Sequence, residues 1–400
     1  VLYVVYWGAA EPLGQSLVLP AVRRLAELGA RLSLVTFDKW DGVREPGRVK
    51  EIRERLRSWG VRWVGLRYHK WPSLPAKAFD VAHGLARGIA AARPGGFDIV
   101  HARTFMGGVM GLPLARALRA RLIHHAEGFY PDEQVDGGFW RRGSLLHRTA
   151  RRVEEALYAG SDGLIVLSRR AAEAVGARPA VNARGTPIVV VPSCVDLARF
   201  AFRPRPPRTR GAELRLVHSG GAGGRYPLER VGRFVALARE ALGPVRLRVL
   251  SPADPTLVAE LLSSGGLARD AWSLERLPHE AMPEELGRYD AGLSFRAEGL
   301  SEHGVSPTKV GEYWACGLPV VTTPNVGDVD AVVRSERVGV VVQGDTDEDY
   351  RRAAGELAEL LRDPGLGERC RRAAEAHYAL DPACERQMAL YRRLFEGAGA

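Results

Sequence analysis

Four hundred residues, 46% of them hydrophobic and 26% charged, suffice for two domains that each bury a core. The four cysteines, Cys194, Cys316, Cys370 and Cys384, have no paired spacing, which argues against a disulfide framework or a zinc site and for a reducing, cytoplasmic setting. No apolar run approaches the roughly 20 residues of a membrane span, and no basic-then-apolar leader opens the chain, so a soluble cytoplasmic protein is expected.

The chain begins with an apolar run, Leu2 to Trp7, which predicts a buried strand. A loop bearing Gly8 and Gly14 and then a helix through Leu28 follow, the opening of a doubly wound α/β pattern. Gly14 sits where the backbone must turn sharply or approach something closely. Strands are expected at Arg31–Phe37 and Val61–Leu66, with a basic helix, Gly47–Trp59, between them. The loop Arg67-Tyr68-His69-Lys70-Trp71-Pro72 mixes aromatic and basic groups. It suits an anionic headgroup surface, a sugar-stacking acceptor site or a packed interdomain loop.

A helix is expected over Phe79–Ala92, then a strand, Asp98–His101, that delivers His101 and Arg103 at its end, and a helix opened by the Gly-rich stretch 107–111. The next strand ends in His124-His125-Ala126-Glu127. In an open α/β sheet, ligands bind beyond the carboxyl ends of the strands. His125 and Glu127 are therefore candidate groups for steadying a sugar ring or handling an acceptor's proton, while His124 reads equally as a structural residue. Trp140–Tyr158 is expected to be a basic amphipathic helix, able to lie on an anionic membrane or to pack on its own domain. Buried strands at Asp162–Ser168 and Ile188–Pro192 complete the first half.

Charge separates the halves. Residues 1–195 carry 29 Lys and Arg against 17 Asp and Glu, a net +12, whereas residues 196–375 carry 25 against 27, a net −2. An excess in one half points to an anionic partner for it, or to the solvated surface of an Arg-rich protein in which only 5 of 57 basic residues are lysine.

Residues 203–210, Arg-Pro-Arg-Pro-Pro-Arg-Thr-Arg, have the composition of a linker. Strand–helix alternation then restarts with Leu214–His218 and the loop Ser219-Gly220-Gly221-Ala222-Gly223-Gly224-Arg225-Tyr226. Its glycines, Gly220 and Gly221 among them, allow main-chain N–H groups to crowd an anion, and Arg225 supplies a fork suited to phosphate oxygens. Leu277-Pro278-His279 lies where a nucleobase would meet backbone atoms, and Asp290–Phe295 is a further strand.

The most informative stretch is 304–324. Ser306 is an N-cap type of residue, Pro307 suits the first helical position, and Gly317 with Pro319 stops the helix before a strand over Pro319–Thr323. A helix start with free N–H groups, Lys309 in its first turn and Glu312 on the face of Thr308 offers sites for a pyrophosphate and for the two hydroxyls of a ribose. The alternative is an ordinary amphipathic helix with a Lys309–Glu312 ion pair. Asp328/Asp330, Asp345/Asp347 and Asp347/Asp349 form Asp-x-Asp strings that read better as helix caps than as metal ligands. Helices are expected at Asp349–Leu361, Pro364–Ala379 and Pro382–Phe395.

The segment resembles the donor-site signature of retaining glycosyltransferases of family 4, in the subgroup S-P-T-K-x-x-E-Y-x-A-x-G-x-P-V-V. Ser306, Pro307, Thr308, Lys309, Glu312, Tyr313, Ala315, Gly317, Pro319, Val320 and Val321 all match. Many members carry a second glutamate where this chain has Gly304, so the resemblance shifts sugar recognition to the Gly304–Thr308 loop, Val305 included, or to Glu298 or Glu302. The opening loop with Gly14, the segment Gly128-Phe129-Tyr130-Pro131-Asp132-Glu133 through Trp140, and Val191–Asp196 with Phe200 resemble further family segments; a phosphate-binding arginine is expected near Arg225.

The resemblance implies a GT-B fold: α/β, two Rossmann-like domains facing each other across a cleft. Residues 1–197 would form the acceptor side, joined by the C-terminal helix 382–400, and residues 198–381 the donor side. It implies retaining transfer of a sugar from a nucleoside diphosphate sugar to an acceptor hydroxyl of a glycan, lipid-linked or small molecule. No metal or cofactor and no nucleic acid partner are expected, and contact with an anionic inner membrane face stays open. The leaving phosphate would take the acceptor's proton, with Lys309, Arg225 and the 306–308 N–H groups stabilising its charge. A nucleotide-sugar epimerase of the same fold and a non-catalytic sugar-binding protein are the rival readings.

Overall fold

The computed structural model describes residues 1–39, 46–92, 96–204 and 212–396. The linker expected over 203–210 lies, from residue 205 on, outside the described residues. The chain divides into two compact units. The first holds Val1–Pro131, Arg141–Pro192 and the last helix, Leu380–Glu396; the second holds Asp132–Trp140 and Ser193–Ala379.

In the first unit seven strands form one sheet: β1 (Leu2–Val5), β2 (Ser33–Asp38), β3 (Arg62–Arg67), β4 (Ile99–Arg103), β5 (Arg121–His125), β6 (Gly163–Val166) and β7 (Ile188–Val190). Their order is β3-β2-β1-β4-β5-β6-β7, and every pairing is parallel. The second unit has six: β8 (Leu214–Ser219), β9 (Val245–Leu250), β10 (Trp272–Glu275), β11 (Ala291–Ser294), β12 (Val320–Thr322) and β13 (Gly339–Val341). They run β10-β9-β8-β11-β12-β13, again all parallel. Central strands such as β1, β4 and β11 are buried along their whole length, which for β1 explains its unbroken apolar run.

Both sheets reverse their winding once, between β1 and β4 and between β8 and β11. That is where an open α/β sheet leaves a crevice at its carboxyl edge. In the first unit the edge presents Arg103 and His125; in the second it presents Ser219 and the residues after Ser294.

Several helices differ from expectation. The helix expected over Trp140–Tyr158 spans Leu145–Gly160, because Gly138 and Gly143 take positive φ values of 76° and Ser144 caps the start by accepting from the His147 N–H. The helix expected from Phe79 already begins at Ser73. The glycines at 107–111 lie inside the helix Phe105–Leu118 rather than opening it, and a Cβ at Gly111 would lie 2.3 Å from that of Ala102. They let the helix pack closely on β4.

The helix Thr308–Ala315 is fixed on three sides. A Cβ at Gly292 of β11 would come within 2.2 Å of the Tyr313 ring, so strand and helix meet at a contact only glycine permits. Tyr313 Oη accepts from the Ser219 N–H at 2.9 Å, tying the helix to the end of β8. Trp314 Nε1 donates to the Val338 carbonyl at 3.0 Å. Gly317, with φ 76°, closes the helix as expected.

Candidate functional site

The second unit gathers cations at the carboxyl edge of its sheet. Arg296 lies two residues beyond β11, Arg225 lies in the loop after β8, and Lys309 occupies the first turn of the helix Thr308–Ala315. Tyr226 lies beneath two of them, 4.4 Å from the Arg296 guanidinium and 5.3 Å from Lys309 Nζ. Two of the cations are already paired. Arg296 grips Glu302 with two nitrogens, at 2.7 and 3.1 Å, and Arg225 Nε donates to the same carboxylate at 2.8 Å. Arg225 Nη1 lies 3.0 Å from Glu133 Oε2. Burial raises the Glu133 pKa, and Arg225 works against that rise.

Lys309 is different. Its ammonium is buried and has no hydrogen-bond partner among the described residues. Burial first, and the neighbouring Arg296 second, pull its pKa down to about 7, with Glu312 acting in the opposite sense. The N–H groups of Thr308 and Lys309, in the first turn, have no acceptor within the helix. A lone buried cation beside a helix start suits an anion. One turn on, Glu312 is buried and its Oε1 lies 3.0 Å from His279 Nε2. The Lys309–Glu312 ion pair offered by the spacing does not form.

The structure corrects the details of the motif. The helix begins at Thr308 with Pro307 as its cap residue, one position later than the sequence suggests. Ser306 makes no cap; its Oγ accepts instead from the Ser193 N–H at 3.2 Å. Gly304 ends a short 3₁₀ turn, Leu300–Gly304, and Val305 follows it as a buried residue. Glu302 is buried and saturated by Arg296 and Arg225, while the Glu298 side chain is 80% exposed, so neither offers the poised carboxylate imagined in place of a residue at 304. The glycine loop also works differently from expectation. The Gly220 N–H extends the sheet to the Leu250 carbonyl, and the Gly223 N–H closes a turn onto Tyr226. What Gly220 contributes, at φ 116°, is clearance: a Cβ there would lie 3.1 Å from Lys309 Nζ. Gly221 leaves room in the same way for the Tyr226 ring. Arg225 keeps a single buried nitrogen, Nη2, without a partner among the described residues.

The first unit places His125 and Glu127 at the end of β5, as the sequence suggests, but in an occupied network. Arg103 Nε donates to Glu127 Oε1, which ties up that carboxylate, and Arg103 Nη1 donates to the Leu17 carbonyl at 3.2 Å. His125 is buried, its Nδ1 3.2 Å from His101 Nε2. Burial, and then the Arg103 charge, hold both histidines well below the ordinary imidazole range, so His125 is a neutral ring and not a ready proton carrier. His124 faces the helix Phe105–Leu118; burial brings it to about 4, which fits a structural role. A Cβ at Gly14 would lie 2.0 Å from the Gly8 carbonyl oxygen, so Gly14 serves the packing of its own loop.

Sequence reasoning missed Arg296, the His279–Glu312 contact and the His101 network. Arg296 was findable, because it stands just beyond a buried strand at a sheet reversal. Among the described residues no cluster of three or more His, Cys, Asp or Glu side chains could hold a metal ion. Asp349 forms a capping box with Thr346, and Asp345 and Asp347 pair with Arg230 and Arg233. No helix among them is long and apolar enough to cross a membrane.

Residues 16–194 match the family described as Glycosyl transferase 4-like domain. D-inositol 3-phosphate glycosyltransferase of Streptomyces griseus is 27% identical over 332 residues, covering 76% of this chain and 68% of that protein. The protein of the same name from Thermobifida fusca is 29% identical over 322 residues, covering 74% and 69%. Among solved structures, sucrose-phosphate synthase from Thermosynechococcus elongatus superposes with a TM-score of 0.70 at 18% identity, covering 99% of each chain. Anabaena Alr3699/HepE in complex with UDP-glucose gives 0.66 at 13%, covering 98% of this chain and 99% of that one. The fold is the paired Rossmann-like fold of GT-B glycosyltransferases.

Lys309 carries a prediction about the ligand-free protein. Its folded pKa of about 7 lies below its unfolded value of 10.5, so the unfolded chain binds more protons between those limits. Stability must therefore rise with pH from about 7 toward 10, and the full cost of the buried charge is felt below 7. In urea unfolding, the parent should gain on the order of several kcal/mol over this range relative to Lys309→Met, with the variant the more stable at pH 6. Parallel pH profiles for the two proteins would refute the buried-charge assignment.

Proposed function

We propose that the chain is a retaining glycosyltransferase that uses a nucleoside diphosphate sugar and requires no metal or other cofactor. The observation that carries this reading is the uncompensated Lys309 ammonium at the start of the helix Thr308–Ala315, with Glu312 one turn further on. A diphosphate at Lys309 would supply the missing counter-charge. A ribose extending from it would meet the Glu312 carboxylate, of which Oε1 already holds His279. The sequence similarity to D-inositol 3-phosphate glycosyltransferases supports sugar transfer, and the UDP-glucose bound by the structurally similar HepE supports this class of donor.

In the proposed reaction the bond from the anomeric carbon to the pyrophosphate oxygen breaks, and the acceptor oxygen bonds to that carbon on the same face. The acceptor's proton passes to the departing phosphate oxygen, so no protein base is needed. Lys309, the Thr308 and Lys309 N–H groups and the remaining Arg225 nitrogen stabilise the charge that grows on the leaving group. His125 contributes hydrogen bonding to a sugar or acceptor hydroxyl rather than proton transfer. The acceptor is a glycan, a lipid-linked sugar or a small molecule bearing a hydroxyl.

Two measurements test this. Sugar transfer should persist in excess EDTA; complete loss reversed by Mn²⁺ or Mg²⁺ would defeat metal independence. Glu312→Gln keeps the shape of the site but surrenders the charge. Hydrogen bonds to a charged acceptor contribute about 1.5–3 kcal/mol, so donor affinity should fall roughly 10- to 100-fold. A 2′-deoxyribose donor should bind the parent more weakly than the ribose donor, and the two should bind Glu312→Gln nearly alike. Equal discrimination by parent and variant would remove Glu312 from the ribose site.

A further inference from the structure

Six side chains of the first unit form one buried polar chain, four of them with a defined hydrogen-bond direction. Gln387 Nε2 lies 3.0 Å from Tyr391 Oη, Tyr391 Oη 2.6 Å from His101 Nδ1, and His101 Nε2 3.2 Å from His125 Nδ1. His125 Nε2 then faces Glu127 Oε1 at 3.6 Å, and Glu127 pairs with Arg103. Gln387, Tyr391, His101 and His125 are each 3% exposed or less. Tyr3 stacks on His101 with ring centroids 4.2 Å apart, which fixes the plane of that imidazole.

From this chain we infer that the C-terminal helix Leu380–Glu396 sets the tautomer of His125. Gln387 and Tyr391 make His101 donate through Nε2, and His101 in turn leaves His125 with its proton on Nε2. An amide NH₂ only donates, so Tyr391 Oη accepts from Gln387 and directs its own proton at His101 Nδ1. The Gln387 amide also lies 3.5 Å from the same Nδ1, so that nitrogen faces two donors and must be the acceptor. A neutral His101 then carries its proton on Nε2 and gives it to His125 Nδ1. His125 is left with an Nε2–H that has no hydrogen-bond partner among the described residues.

Turning the amide over would reverse every bond and aim a bare nitrogen lone pair at the Glu127 carboxylate. That arrangement is the electrostatically poorer one. Burial keeps both rings neutral, so neither carries a second proton that would blur the direction. Tyr391, Gln387 and His101 are positioning residues: they touch no substrate in this account, and they make His125 a hydrogen-bond donor instead of a base. What that donor does in sugar transfer rests on the proposed function; the tautomer does not.

The test is a long-range ¹H–¹⁵N correlation spectrum of the full chain labelled with ¹⁵N-histidine at pH 7, with His101 and His125 assigned by single substitution among the ten histidines. Both should show the neutral Nε2–H pattern. A cationic His125, or one protonated on Nδ1, would overturn the inference. The double variant Tyr391→Phe, Gln387→Leu removes both donors to His101 Nδ1, and the single Nε2–H pattern of His125 should give way to a mixture. If it stays pure, the helix does not set the tautomer. Should the double variant fail to fold, as circular dichroism would show, Gln387→Leu alone allows Tyr391 to turn its proton away, and an unchanged spectrum contradicts the inference equally. Absence of transferase activity in the parent would leave these spectra as they are and would count against the proposed function alone.

Discussion

The second unit is built around one buried positive charge with no partner. Arg296 and Arg225 lie close by, but Glu302 and Glu133 neutralise them, so among the described residues of this cluster the Lys309 ammonium is the cation left without a hydrogen-bond partner. Burial without a counter-ion costs stability, and the depressed pKa is the measure of that cost. The surrounding structure holds the charge in place. Tyr226 lies under it, Gly220 makes room for it, and Tyr313 and Gly292 lock its helix to the sheet. Local destabilisation upheld by rigid surroundings is what a site prepared for an anion requires.

The first unit solves a different problem at the equivalent edge of its own sheet. It too brings polar groups to the crevice beside β1 and β4, but among the described residues there its charged pair is matched. Arg103 and Glu127 satisfy each other, and the two histidines are kept neutral. The edge therefore offers hydrogen-bond direction without net charge. The second unit, by contrast, keeps a buried ammonium at its own edge.

Much of this was legible in the sequence because it depends on local pattern. An unbroken apolar run locates β1, apolar-rich segments locate β5 and β8, and the stop at Gly317 follows from its left-handed conformation. The stretch 304–324 could be recognised as a helix start followed by a strand, though its cap fell one residue later, with Ser306 bonded to Ser193 instead. What could not be read depends on contacts far apart in the chain. Tyr391 meets His101 across 290 positions, and nothing near either residue announces it. His279 reaches Glu312 across 33 positions, and the competing Lys309–Glu312 spacing pointed the other way. The ion pairs of Arg225 were hidden for a related reason, since composition reveals a guanidinium but not the carboxylates that Glu133 and Glu302 bring to it.

The central claim is that Lys309 waits, largely uncharged above neutral pH, for the diphosphate of a nucleotide, and proton linkage tests it directly. At pH 8 the phosphates of UDP are already ionised, so a proton taken up on binding must come to rest on the protein. Calorimetric titration of UDP at that pH, in two buffers of different ionisation enthalpy, should show uptake of about one proton per nucleotide bound. Lys309→Met should bind with essentially no uptake. Binding of UDP by the parent without proton uptake, or the same uptake in the variant, would contradict the account.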